Sequence, residues 1–172
     1  MARKRRLRRD FARLREVKGW SPARAFVDAV LLDTGFQALI LHRLAHVCVR
    51  HRVPILPALC RSLSIALCSI DILPRADIGG GCIIAHGLGI VIGGTAVIGE
   101  DCTLLQGVTL GEARFDELDC PLVGDRVTLG ARATLLGKIT VGDDAVIGAG
   151  AVVLQDVPAG RTAVGVPARI LG

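Results

Sequence analysis

The chain has 172 residues, of which 51% are hydrophobic and only 3% aromatic, with 21 glycines and a formal charge of +5. That length holds one ordinary domain, or a small domain with an appendage, and the shortage of rings excludes a core anchored on large aromatic side chains, so Val, Ile, Leu and Ala must build a thin, regular interior. Glycine lacks the three-residue period of collagen, and the apolar runs 53–60 and 62–70, split by Arg61 and closed by Asp71, fall short of the roughly 20 residues of a membrane span.

The charge is uneven. Residues 1–15 hold eight Lys or Arg against one Asp, a charge of +7, whereas residues 16–172 hold 13 basic and 15 acidic side chains, a charge of −2. Residues 1–20 are therefore expected to form a basic N-terminal arm, solvated and either partly helical or disordered. No aromatic interleaving or nucleic-acid motif accompanies the basic residues, so no nucleic-acid partner is expected. No apolar stretch of a secretory signal follows the basic start. Six cysteines (48, 60, 68, 82, 102 and 120) without a CxxC pair read as reduced, mostly buried thiols of a cytoplasmic protein.

Residues 21–70 are expected to be an α-helical segment. Ser21-Pro22 has the chemistry of a helix start, an N-cap followed by proline in the first turn. That helix should reach Thr34 and stop at Gly35. A second should run from Phe36 to about His51, with Leu39, Ile40, Leu44, Val47 and Cys48 at three- and four-residue spacing. Pro54 and Pro57 then open a third, over roughly 55–69. His42 and His46 stand four apart, a spacing that can chelate a metal, but they read as structural, and no metal site is expected.

After Pro74 the period becomes six. Inward aliphatic positions recur at Ile92, Ile98, Leu104, Leu110, Val123, Leu129, Leu135, Val141, Ile147 and Val153, most followed by glycine. Ile78, Ile84 and Ile90 begin the series, with a two-residue slip before Ile92. Neither a helix nor a simple strand explains that spacing. One short strand plus one tight turn makes a flat side, and three sides close a triangular coil of about eighteen residues. Stacked coils hydrogen-bond strand to strand and line up small aliphatics as ladders. Four or five coils fit residues 75–170. The register breaks between Leu110 and Val123, so residues 112–121 are expected to be a loop thrown out from a coil corner; it carries Glu112, Asp116, Glu117 and Asp119 against Arg114.

One imidazole, His86, interrupts the wall text GCIIAHGLGIVIGG of residues 81–94. The order of blocks here is specific: GFQALILHRLAH, the step Asp71-Ile72-Leu73-Pro74, AHGLGIVIG, LLQGVTLG, then VGVPARI. Over residues 21–172 this order resembles the serine acetyltransferase family of left-handed β-helix acyltransferases. The resemblance implies an α+β chain, with the helical segment at 21–70 and a left-handed parallel β-helix acyltransferase domain at 71–172. It implies an acetyl-CoA-dependent O-acetyltransferase in which His86 is the general base and Asp71 orients it. A hydroxyl is a poor nucleophile until a base takes its proton, and neutral imidazole is available near pH 7. A carboxylate partner fixes the tautomer and stabilises the imidazolium.

The departures concern the acceptor. The family has an aspartate where this chain has Ala85, an Arg-His pair where it has Asp119-Cys120, and an aspartate where it has Ser21. Those positions hold the amino acid in the family, so a small-molecule alcohol other than serine is expected, with true serine O-acetylation for cysteine biosynthesis, an N-acetyltransferase and a non-catalytic scaffold as alternatives. Cys120 is also a candidate nucleophile. Acetyl-CoA is expected as a co-substrate, with Gly111, Gly130, Ala131 and Ala149 leaving room for its arm and Arg132, Lys138, Arg161 and Arg169 facing its phosphates. A homotrimer with sites between subunits is expected, and a larger assembly only if residues 1–70 pair trimers.

Overall fold

The computed structural model describes residues 2–171 except 115 and 117, and only the backbone of 2–5 and 22–24. Four helices precede the coil: α1 (Ala2–Lys18), α2 (Pro22–Leu32), α3 (Thr34–Arg50) and α4 (Leu56–Cys68). Ser21 is the N-cap residue of α2, as expected. Gly35 does not stop that helix. The break falls at Asp33, whose carboxylate accepts from the Phe36 N–H at 2.9 Å and caps α3, one of the orphan donors at any helix start. Gly35 sits inside the first turn of α3 because a Cβ there would overlap the backbone carbonyl of Ile84. Its bare backbone lets α3 lie against the coil.

The coil follows as an α+β fold would require. Its first turn is β1 (Ile70–Ile72), β2 (Asp77–Ile78) and β3 (Ile83–Ile84). The second is β4 (Ile90–Ile92), β5 (Val97–Ile98) and β6 (Thr103–Leu104). The third is β7 (Thr109–Gly111), β8 (Leu122–Val123) and β9 (Thr128–Leu129), and the fourth is β10 (Thr134–Leu136), β11 (Thr140–Val141) and β12 (Val146–Ile147). Then come β13 (Val152–Val153), β14 (Thr162–Val164) and a closing β15 (Arg169–Leu171), antiparallel to β14. Strands stack in parallel into three faces: β1-β4-β7-β10-β13 (face A), β2-β5-β8-β11 (face B) and β3-β6-β9-β12-β14 (face C). This is a left-handed parallel β-helix of about five turns.

All ten six-residue marks from Ile92 to Val153 are buried, as are Ile78, Ile84 and Ile90. The ladder explains the composition, because each coil's cross-section has room for branched aliphatics and none for rings. The rings gather instead between helices, where Phe11 lies 6.0 Å from Phe36 and 6.2 Å from Phe26, beside Leu14, Ala29 and Trp20. Ala38, Leu39 and Cys68 join the coil's own core, so α3 and α4 close its first turn.

The basic arm is the helix α1, and three of its arginines reach the edge between faces B and C, whereas Arg8 and Arg15 are exposed. Arg6 bonds Asp77 and the Ile78 carbonyl, Arg9 bonds Glu100 and Asp101, and Arg13 donates to the carbonyls of Gly81 and Cys102 and to Thr103 Oγ1. Asp10, the one acid of the stretch, is fully buried between Arg43 of α3 and the Cys82 N–H. Cationic side chains take up otherwise open corner carbonyls and carboxylates, which is the physical reason the charge run folds onto the protein. Among the described residues no single helix is long and apolar enough to cross a membrane.

Candidate active site

His86 lies on the corner that joins face C to face A in the first coil. Thr134 pairs with Val152, eighteen residues on, whereas Ile70 pairs with Ile90, twenty residues on. The two extra residues fall in the corner 85–89, since Ile84 is inward on β3 and Ile90 and Ile92 are inward on β4. That is the slip visible in the sequence, and His86 stands on it. Its backbone is left-handed at φ 54°, and its carbonyl accepts from the Leu88 N–H at 2.6 Å. Left-handed backbone on a residue with a Cβ is strained and tends to persist where surrounding structure holds it. The side chain is exposed.

Successive corners stack beneath it as one edge. Gly107 N–H donates to Leu88 O, Arg132 N–H to Gln106 O, and Gly150 N–H to Ala131 O, each at 2.8 Å. The edge therefore brings His86 and Ala85 into line with Gly130, Ala131, Arg132 and Ala149. Gly111 stands on the far side of face A, at the end of β7, and Arg169 is exposed on β15. Gln106, on the same edge, keeps its Oε1 buried without a hydrogen-bond partner among the described residues. Sequence reasoning missed it, because a glutamine in a turn gives no signal of its own.

Asp71 projects from β1 between the buried Ile70 and Ile72, on the strand beside the His86 corner, whose Gly89 N–H donates to Ser69 O. Its carboxylate is not given to His86. Arg61 of α4 grips both oxygens, Nε to Oδ1 at 2.6 Å and Nη2 to Oδ2 at 2.7 Å. Among the described residues no hydrogen bond joins Asp71 to His86, which corrects the expected direct contact. A guanidinium offers two charge-assisted bonds in the geometry of a carboxylate, and a neutral imidazole offers one weaker bond. Arg61 is the lone charge in an otherwise apolar helix.

The acceptor candidates separate. Asp119 belongs to the loop 112–121, which leaves the edge between faces A and B, opposite His86 across face A; Glu117 lies outside the described residues. The Asp119 carboxylate is 3.5 Å from Lys138 Nζ. Cys120 is not a loop thiol. It is buried in the coil core, with its sulfur in the space a Cβ of Gly93 would need, and its N–H donates to Thr95 Oγ1 at 3.1 Å. The loop ends at Pro121, and the ladder restarts with β8 at Leu122–Val123. A sealed thiol cannot meet an acyl group, so the nucleophile reading of Cys120 falls.

The two helical histidines hold the helices to the coil. His46 Nδ1 lies 3.0 Å from the Pro74 carbonyl. His42 is buried, and burial together with Arg43 and His46 holds its pKa down at about 3, so it stays neutral. Among the described residues no cluster of His, Cys, Asp and Glu is placed to hold a metal.

Residues 121–155 match the bacterial transferase hexapeptide family (six repeats). The chain is 45% identical over 145 residues to the serine acetyltransferase of Helicobacter pylori strain J99, covering 84% of this chain and 85% of that one. The soybean serine acetyltransferase complexed with serine superposes with a TM-score of 0.90 at 38% identity, covering 99% of this chain and 70% of that one. The chain belongs to the serine acetyltransferase family. The Brucella abortus serine acetyltransferase in complex with coenzyme A has a TM-score of 0.88 at 38% identity, over 97% of this chain and 66% of that one. The chain spans 60–62% of the length of other curated relatives it matches. Within a serine acetyltransferase fold, then, this chain places its lone wall histidine on an enlarged, exposed corner and hands the neighbouring carboxylate to an arginine.

Proposed function

We propose that the chain transfers an acetyl group from acetyl-CoA to the hydroxyl of serine, with His86 as general base. The observation that carries this is the edge itself: an exposed imidazole on a two-residue enlargement, above a track of small residues at Gly130, Ala131 and Ala149. The acceptor hydroxyl gives its proton to the imidazole as its oxygen attacks the thioester carbonyl. The tetrahedral adduct collapses, the carbon–sulfur bond breaks, and the imidazolium returns the proton to the departing thiolate. The orphaned Gln106 Oε1 supports coenzyme binding on this edge, since a buried acceptor left unpaired is costly and the coenzyme's arm carries amide N–H donors. Arg132 then faces its phosphates. The six free, buried thiols support a reducing compartment.

Serine is favoured over another alcohol for two reasons. The relatives are named for it, and the Asp119 charge, which would repel a carboxylate, stands beside Lys138. A homotrimer accounts for the distance across face A, because a neighbouring copy would bring its loop to the His86 edge of this one.

The second reading, a non-serine alcohol, is favoured by Ala85 and by the burial of Cys120, which leave the ammonium and carboxylate of an amino acid without the family's partners. A thiol-release assay with serine and a panel of sugars and simple alcohols separates them. Serine turnover at kcat/KM of about 10⁴ M⁻¹s⁻¹ or more is expected. Turnover confined to acceptors lacking an α-carboxylate would establish the second reading. No thioester loss with any acceptor, and no coenzyme binding at millimolar concentration, would leave a scaffold.

A further inference from the structure

We propose that the hairpin of α3 and α4 is a docking surface for an anionic lipid bilayer, which it meets with its tip at 50–56 and the outer stripe of α4. The tip reads Arg50-His51-Arg52-Val53-Pro54-Ile55-Leu56, and all seven residues are exposed. Ile55 is its apex, with 81% of its surface open. Its φ of 68° and ψ of −50°, with the Leu56 N–H donating to the Pro54 carbonyl at 2.7 Å, make a γ-turn of the rare, strained form. A β-branched residue bears that backbone at a cost, and here its side chain finds no cover within the chain. Beyond the tip, Leu56, Leu59, Leu63 and Leu67 are exposed. Their spacing of three and four residues puts them on one stripe of the helix, beside the buried Cys60, Ser64 and Cys68.

Charge decides what covers this surface. Residues 34–70 hold four arginines and no Asp or Glu. Arg43 pairs with Asp10 and Arg61 with Asp71, whereas Arg50 and Arg52 form no ion pair among the described residues. A twofold contact between copies sets the same patch against itself and supplies no counter-charge. A protruding aliphatic tip beside two cations fits the interface of a bilayer instead. There the apolar side chains enter the acyl boundary and the arginines stay with the lipid phosphates. The hairpin lies on such a surface and does not cross it.

The test is flotation of the full chain with vesicles of phosphatidylcholine alone, or of phosphatidylcholine mixed with phosphatidylserine. Wild type should float with the mixed vesicles, less so as salt is raised, and not with the neutral ones. A cation near an anionic surface contributes roughly fivefold to partitioning, so Arg50→Gln with Arg52→Gln should lower it about 25-fold. Ile55→Asn with Leu59→Gln should lower it by about tenfold or more. Asparagine accepts the left-handed backbone and both side chains are exposed, so thermal unfolding should not change. Absence of flotation with the mixed vesicles at low salt overturns the proposal, as does wild-type flotation in either double variant. Light scattering that shows an assembly dissociating in Ile55→Asn with Leu59→Gln, without vesicle binding by wild type, also overturns it and gives the stripe to a second copy of the chain.

Discussion

Replacing His86 with Ala or with Asn is expected to lower kcat for acetyl transfer by about 10²–10⁴-fold, the usual contribution of a general base. The two variants answer different objections. Residue 86 has φ of 54°, a conformation that costs an ordinary residue on the order of 1–2 kcal/mol. Alanine would bear that strain with nothing to offset it, so a small loss of stability could be mistaken for loss of chemistry. Asparagine tolerates the left-handed region and offers no base near neutral pH. Equal loss in both, with unchanged thermal unfolding, assigns the effect to the imidazole. Because the side chain is exposed, its removal opens no cavity. Activity of the Asn variant within threefold of wild type would show that another group takes the proton.

The largest stability effect is expected at Asp10. Its carboxylate has no exposure, accepts from Arg43 Nε and Nη2 at 3.2 Å and from the Cys82 N–H at 3.0 Å, and lies where α1 meets the first coil. Asp10→Ala leaves the mostly buried Arg43 guanidinium without its counter-charge and the Cys82 N–H without an acceptor. Breaking one side of a buried pair costs about 3–5 kcal/mol, which for a chain of this size lowers Tm by on the order of 10 °C. The Arg43 bonds to the Ile78 and Gly79 carbonyls hold the guanidinium in place but bring no charge to meet it. Urea denaturation followed by circular dichroism measures the loss. A change below about 1 kcal/mol would mean that α1 is a loose appendage, and that its arginine contacts contribute no more than surface pairs do.

These two sites differ in how far the sequence announces them. The inward ladder was legible because a period of six survives any local detail, and even the slip at 85–91 appears as a gap between Ile84 and Ile92. The loop at 112–121 was legible for the same reason, since it breaks the count. Helix limits followed from proline and from apolar spacing, with Gly35 the exception: glycine at a helix end and glycine at a close crossing look alike until the partner, here the Ile84 carbonyl, is known. Charge pairing was the least legible. Arg6, Arg9 and Arg13 read the same whether solvated or bonded to corners some 70–90 residues away. Asp71 read as the partner of His86 because nothing local reveals which cation reaches a carboxylate. Cys120 read as a loop thiol because it sits at the end of a polar stretch, although the ladder resumes one residue sooner than the pattern of Val123 suggests.

The central claim is that the edge bearing His86 is where thioester and hydroxyl meet. A structure of the protein with coenzyme A bound tests it most directly. The account predicts the coenzyme's arm along the edge of Gly107, Ala131 and Gly150, with its sulfur within about 6 Å of the His86 imidazole, the span of one hydrogen bond and one attack distance. A coenzyme lying on another edge, or with its sulfur far from His86 in every subunit, would contradict it.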